Sequence, residues 1–343
     1  MPESERPLVI SAPEPRTLDL IFTDAALARL RSGYHIVETD ANGVADLPGQ
    51  TLGTARYVIG QPALSRETFA RMGSLRCVFN VEGNLFLNMP YDDAFARGVY
   101  VVTTSSVFAA PVAEIGLGLA LDLARGITAA DRAFQEGREL WGLEGTRNAR
   151  LIGGAEVGII GFGALGQAVT RLLEGFRTRV RAFDPWLPDS VLVGSGVEAA
   201  DLDTVLAQSD FVFVTASVTS ENEGFLGAEA FAGMRKGAAF ILLSRAGVVD
   251  FDALVEAVRS GHIVAASDVF PEEPMPAGHP VRTLPGFIRS AHRAGALDSA
   301  FKAMGDMVLD DMALMDRGLP PVRCKRAERE TVSMMRSKPV EKN

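Results

Sequence analysis

The chain has 343 residues, about twice the size of a typical single domain, so two domains are the starting expectation. At 47% hydrophobic, 22% charged and 7% aromatic it has the material for packed cores, which excludes a disordered, collagen-like or fibrous chain. A net charge of −9 argues against a nucleic-acid backbone as partner, and two cysteines, Cys77 and Cys324, are too few for a disulfide framework or a four-thiolate metal site.

The opening residues are acidic and proline-containing, unlike a signal peptide. The most apolar long stretch, 112–124, carries Glu114 and Asp122 and reads as a buried helix, so no membrane span is expected and a cytoplasmic location fits. Apolar runs at 17–22, 57–60, 77–81 and 99–103 read as strands, with half-buried helices at 24–32 and 90–97. Residues 110–137 read as one long helix, and 142–154 as a connector. A second alternating pattern follows, with strands at 157–160, 180–183, 211–215, 239–243 and 263–267 and a helix running from the glycine loop to 176. These runs lack polar alternation, as strands buried on both faces do. The last twenty residues are basic and polar, and read as surface.

The loop Gly161-Phe-Gly-Ala-Leu-Gly166 follows the first of these later strands and opens a helix. Gly161 suits a tight turn, Gly163 a close approach to a pyrophosphate, and Gly166 close helix–strand packing. Together with Ala164 and Leu165 they form a dinucleotide-binding loop, because the helix amino terminus offers free N–H groups to phosphate oxygens. Asp184 ends the next strand, about 20 residues on, where a carboxylate accepts from ribose hydroxyls. No arginine follows it to receive a 2′-phosphate, so NAD (NADH) is the expected cofactor.

Four blocks in order carry a resemblance. They are the glycine loop, Leu242-Leu-Ser-Arg-Ala-Gly-Val-Val-Asp250, Asp268-Val-Phe-Pro-Glu-Glu-Pro-Met-Pro276 and Ser290-Ala-His-Arg-Ala-Gly295. On these the chain resembles the D-isomer-specific 2-hydroxyacid dehydrogenase family, which includes phosphoglycerate, glycerate and D-lactate dehydrogenases. The resemblance implies an α/β protein of two doubly wound parallel-sheet domains, Rossmann-like and flavodoxin-like, with a cleft between them. Residues 107–294 would be the NAD-binding domain, and 1–106 with 295–343 the substrate-binding domain.

By the same resemblance Arg245 would hold the substrate carboxylate and polarise the C2 oxygen, with donors that never deprotonate. His292 would carry the proton, since imidazole titrates near neutral pH, and Glu273 would orient its ring. Ala216, Ser217, Ser244, Asp268 and Gly295 would face the cofactor, Asp268 through the nicotinamide carboxamide. Gly83 and Asn84 would bind the substrate through backbone N–H groups. Leu85, Phe108, Ser217 and Ala246 stand where the family more often has other residues, and are expected to reshape the pocket.

The implied activity is interconversion of a 2-oxo acid and a D-2-hydroxy acid. The rival is a nucleotide-sensing binding protein, similar to corepressors on the same fold, that binds NAD(H) without turnover. His35, His262 and His279 show no partner at metal-ligand spacing, so no metal is expected. The apolar stretch 111–124, continued by Phe134 and Trp141, has more apolar surface than one helix face uses, so a homodimer is expected.

Overall fold

The computed structural model describes residues 6–336; the first five residues and the last seven, including the end of the basic tail, lie outside the described residues. The chain divides into two compact units, Met1–Phe108 with Ala296–Asn343, and Ala109–Gly295. These boundaries fall one or two residues beyond the sequence expectation.

The first unit is built on a six-stranded sheet: β1 (Leu8–Ser11), β2 (His35–Glu38), β3 (Ala55–Ile59), β4 (Cys77–Asn80), β5 (Tyr100–Thr103) and β13 (Lys325–Arg326). Their order is β13-β5-β4-β3-β1-β2, parallel except for β13, which runs antiparallel to β5. The run 17–22 is a correction. It forms a short helix, Leu18–Ile21, because the Thr17 side chain accepts from the Leu20 N–H and caps it. The strand lies upstream at Leu8–Ser11, where β-branched Val9 and Ile10 are fully buried.

The tail is a second correction. Asp311, on the helix Asp298–Asp316, is fully buried and accepts from the N–H groups of Val322, Arg323 and Cys324 at 2.8–2.9 Å. That anchor places Cys324 and Ala327 in the core and lets β13 pair with β5.

The second unit has a seven-stranded parallel sheet: β6 (Glu156–Ile160), β7 (Arg179–Phe183), β8 (Glu198–Ala199), β9 (Phe211–Val214), β10 (Ala239–Leu242), β11 (Val264–Ser267) and β12 (Phe287–Arg289). The order is β12-β11-β10-β9-β6-β7-β8. Its two edge strands, β8 and β12, are too short to stand out in the sequence. Register decides what gathers at one edge. Ile160 lies opposite both Phe183 and Val214, so Gly161, Asp184 and Thr215 leave the sheet side by side. Leu242 lies opposite Val214 and Ser267, and Ser267 opposite Arg289, which extends the same edge to Ser244, Asp268 and the His292 loop. In a doubly wound sheet this carboxyl edge, beside the point where strand order reverses, is where ligands bind.

The expected long helix at 110–137 is two helices, Ala109–Arg125 and Ile127–Gln135. Gly126 between them sits at φ 65, a left-handed conformation that ends the first helix. Asp122 then accepts from the Thr128 N–H at 2.8 Å, so the second helix starts from a side-chain anchor. The first of these helices is fully buried along one stripe, Ala113, Gly116, Ala120 and Ala124, and only partly buried or exposed elsewhere. The stretch Ser105–Arg125 is long and apolar enough to cross a membrane by length and composition alone, with 28% of the window buried. The helix after the glycine loop stops at Leu173 and continues to Phe176 only as a 3-10 turn.

Candidate active site

The glycine loop leaves β6 at Gly161, whose φ of 90 and close approach to a neighbour both require glycine; a Cβ there would lie 2.6 Å from the Ala216 nitrogen. A Cβ on Gly163 would point into open space, and Gly163 starts the helix Ala164–Leu173 with no side chain among the described residues capping it. The first N–H groups of that helix therefore point from an open, uncapped turn. A Cβ on Gly166 would collide with the Gly161 carbonyl, so its absence lets the helix sit against the loop.

Asp184 is fixed from both sides, with Oδ2 accepting from the Phe162 N–H at 2.7 Å and Oδ1 from the Trp186 N–H at 3.0 Å. A carboxylate has about four acceptor positions, so two remain for a ribose diol. Ala216 packs on Gly161, and the exposed Ser217 receives the Asn222 amide on its carbonyl oxygen. Ser244 is 8% exposed, and its hydroxyl is buried without a hydrogen-bond partner among the described residues. An open phosphate turn, an anchored carboxylate and an orphaned hydroxyl along one sheet edge fit a dinucleotide.

The titrating residues occupy the same edge. His292 Nδ1 lies 2.6 Å from Glu273 Oε2, and Glu273 Oε1 accepts from the Phe270 N–H at 2.9 Å. Burial works to raise the Glu273 carboxyl, but the bonds from His292 and Phe270 outweigh it and hold the group below its ordinary range. Arg245 follows β10, is half-buried, and donates from Nη1 to the Ser244 carbonyl at 2.7 Å. Burial lowers its pKa while the Glu273 carboxylate pulls it back up. The guanidinium, the carboxylate and the imidazole thus form one electrostatically linked group.

Sequence reasoning missed how the histidine is held. His292 has φ 46, a left-handed conformation rare for a side chain of this size. Asp268 imposes it: its carbonyl accepts from the His292 N–H at 2.7 Å, and its carboxylate oxygens accept from the Arg293 and Ala294 N–H groups, each at 3.1 Å. Asp268 is 1% exposed, so the cofactor contact expected for it would have to share a carboxylate already engaged by two backbone donors. Gly295, half-buried, closes the loop and the unit.

Residues 117–294 match the family description "D-isomer specific 2-hydroxyacid dehydrogenase, NAD binding domain". The chain belongs to that family. It is an oxidoreductase family with NAD as cofactor, and the matched residues run from before the glycine loop through Asp184, Arg245, Asp268 and Glu273 to His292. A D-3-phosphoglycerate dehydrogenase of Methanocaldococcus jannaschii is 32% identical over 233 residues, 67% of this chain but 44% of that one, so the chain spans less than half of that relative's length. A glyoxylate reductase of Korarchaeum cryptofilum is 32% identical over 239 residues, 68% of this chain and 71% of that protein. Among solved structures, a phosphoglycerate oxidoreductase from Rhizobium etli matches with a TM-score of 0.91 and 68% identity, covering 96% of this chain and all of that one.

Gly83 and Asn84, the expected substrate loop, follow β4 in the first unit. Leu85, where the family has a second glycine, is 8% exposed and packs into that unit's core. Asn80, Gln61 and Asn88 hold the surrounding loop: Gln61 donates to the Phe86 carbonyl at 2.8 Å, and Asn80 accepts from the Glu82 N–H at 2.9 Å. Phe108 stacks edge-on with Phe301, ring centroids 6.0 Å apart. Ala246 is buried at the start of a 3-10 turn, in a conformation that does not require glycine.

Proposed function

We propose that the protein is a cytoplasmic, homodimeric, NAD-dependent oxidoreductase interconverting a 2-oxo acid and a D-2-hydroxy acid. The observation that carries this reading is the 2.6 Å contact between His292 and Glu273, on the sheet edge that also bears the glycine loop and Arg245. Glu273 takes Nδ1 and so turns Nε2 toward bulk solvent or substrate, where it can protonate the C2 oxygen in reduction and accept the proton back in oxidation. Arg245 holds the substrate carboxylate and draws electron density from the C2 oxygen as negative charge builds there. The backbone N–H groups of Gly83 and Asn84, on the loop after β4, are further candidates for binding substrate. Bound NADH supplies the hydride. Ala216, Ser217 and Ser244 line the cofactor, with the Ser244 hydroxyl as a free donor.

The homodimer is supported by apolar side chains left at the surface in one region: Phe134, Trp141 and Leu143 are 62, 74 and 83% exposed. The two free cysteines are buried, which suits a reducing compartment. The test of the activity is NADH oxidation with a panel of 2-oxo acids, for the wild type and for Arg245→Lys. Lysine keeps the charge but loses the planar fork, so kcat/KM should fall about 10²-fold or more while NADH affinity holds. Tight NADH binding with no turnover of any acid would instead support a nucleotide sensor.

A further inference from the structure

We infer that Asn222 is a positioning residue for the reaction, its side-chain amide holding the loop after β9 in the shape that docks it against the loop bearing Arg245. The inference rests on the reading above that Ala216 and Ser217 face the cofactor and that Arg245 holds the substrate. All of these residues lie in the second unit. Asn222 is half-buried and spans the turn, with Nδ2 donating to the Ser217 carbonyl at 2.8 Å and Oδ1 accepting from the Thr219 N–H at 2.7 Å. Donor and acceptor are both engaged, at opposite ends of one amide, which fixes its orientation. Thr219 is buried, and its hydroxyl accepts from the Glu221 N–H at 3.3 Å.

The turn is stitched to the arginine loop. The Gly224 N–H donates to the Gly247 carbonyl at 2.8 Å, the Leu226 N–H to the Val248 carbonyl at 3.2 Å, and the Asp250 N–H to the Leu226 carbonyl at 3.1 Å. Val218, inside the turn, packs on Gly247, where a Cβ would come within 3.1 Å of Val218 Cγ2. At the start of the same loop Ala216 lies against Gly161. The ladder between β9 and β10 ends at Val214 and Leu242, so past the sheet edge the two loops are aligned by these contacts. Hydride delivery to C2 and polarisation of the C2 oxygen must coincide. An error of about 1 Å between the cofactor's seat and the guanidinium costs roughly 10²-fold, so a residue that sets both loops acts on rate as well as on binding.

The test is a double-mutant cycle of Asn222→Ala with Arg245→Lys, reading kcat, KM, NADH affinity and Tm. The substrate is whichever of glyoxylate, pyruvate and hydroxypyruvate the wild type reduces fastest. Asn222→Ala should weaken NADH binding by about 3- to 10-fold, and at saturating NADH lower kcat/KM for the acid by about 10-fold, the worth of two neutral hydrogen bonds. With Arg245→Lys already present the fork is lost, and the same substitution should cost less than about threefold in kcat/KM, because coupled residues are not additive. Asn222→Asp keeps the acceptor for Thr219 but sets a carboxylate against the Ser217 carbonyl, so it should be at least as defective as alanine. It carries the same cycle if the alanine variant does not fold. A turn that serves stability alone would lower Tm and leave kcat/KM within about threefold. That result, fold-losses that simply multiply in the double variant, or near-normal kinetics in Asn222→Asp overturns the assignment and leaves the proposed function standing. A wild type that turns over none of the three acids removes both.

Discussion

Asp268 offers the most direct test of how the site is assembled. Replacing it with alanine removes the acceptors for the Arg293 and Ala294 N–H groups. The second of these is buried, so water cannot substitute without rearrangement. Hydrogen bonds to charged groups contribute about 1.5–3 kcal/mol each; after relief of desolvating the carboxylate, a net loss of about 2–4 kcal/mol is expected for the pair. For a unit of this size that lowers Tm by about 4–16 °C. The larger effect is on chemistry. Without the clamp, His292 relaxes from φ 46 and its imidazole shifts, and a displacement of about 1 Å costs roughly 10²-fold in kcat. Asp268→Asn keeps one acceptor and turns an amide toward the other N–H, so its defects should fall between those of wild type and alanine. Steady-state kinetics, NADH titration and thermal unfolding of the three proteins separate the effects. NADH affinity should change by less than about threefold if the residue acts through the histidine loop. A kcat within about threefold of wild type in Asp268→Ala, or a large loss of NADH affinity with kcat intact, would refute the clamp.

Asp184 should make NADH strongly preferred over NADPH, because an anchored carboxylate repels a 2′-phosphate; equal kcat/KM with the two nucleotides would contradict this. Light scattering at micromolar concentration should give a dimeric mass, and Trp141→Glu should shift it toward monomer; a monomeric wild type would remove the proposed interface. Tyr34 and Tyr57 both donate to Asp316, at 2.6 and 2.7 Å, and burial, then that carboxylate, pushes both phenols far above their usual range. A raised folded pKa stabilises fully below the unfolded value near 10 and is lost as pH rises past it. Urea unfolding from pH 8 to 11.5 should therefore show stability falling above about pH 10, with a shallower fall in Tyr34→Phe; equal slopes would exclude the tyrosines.

Local chemistry made much of the second unit readable. The glycine loop, Asp184 and the strands around them are specified by residues near in sequence, where φ, capping and apolar runs act over short range. The same holds for the break at Gly126 in retrospect: a glycine followed by Thr128, with Asp122 placed to anchor it, is a legible helix stop. The run 17–22 misled because an apolar run alone does not distinguish a strand from a helical turn, and Thr17 was the cap that decided it. Only the resemblance, and not spacing, singled out Arg245, Glu273 and His292, since they stand on three separate connections after β10, β11 and β12. Parallel pairing with matched register brings those connections to one edge. Composition and short-range pattern thus determined the α/β class and the nucleotide loop. Tertiary structure alone decided the Asp268 clamp and the Asp311 anchor that carries the tail into the core. Each depends on a buried carboxylate meeting donors elsewhere in the chain, and burial arises only when distant segments pack together.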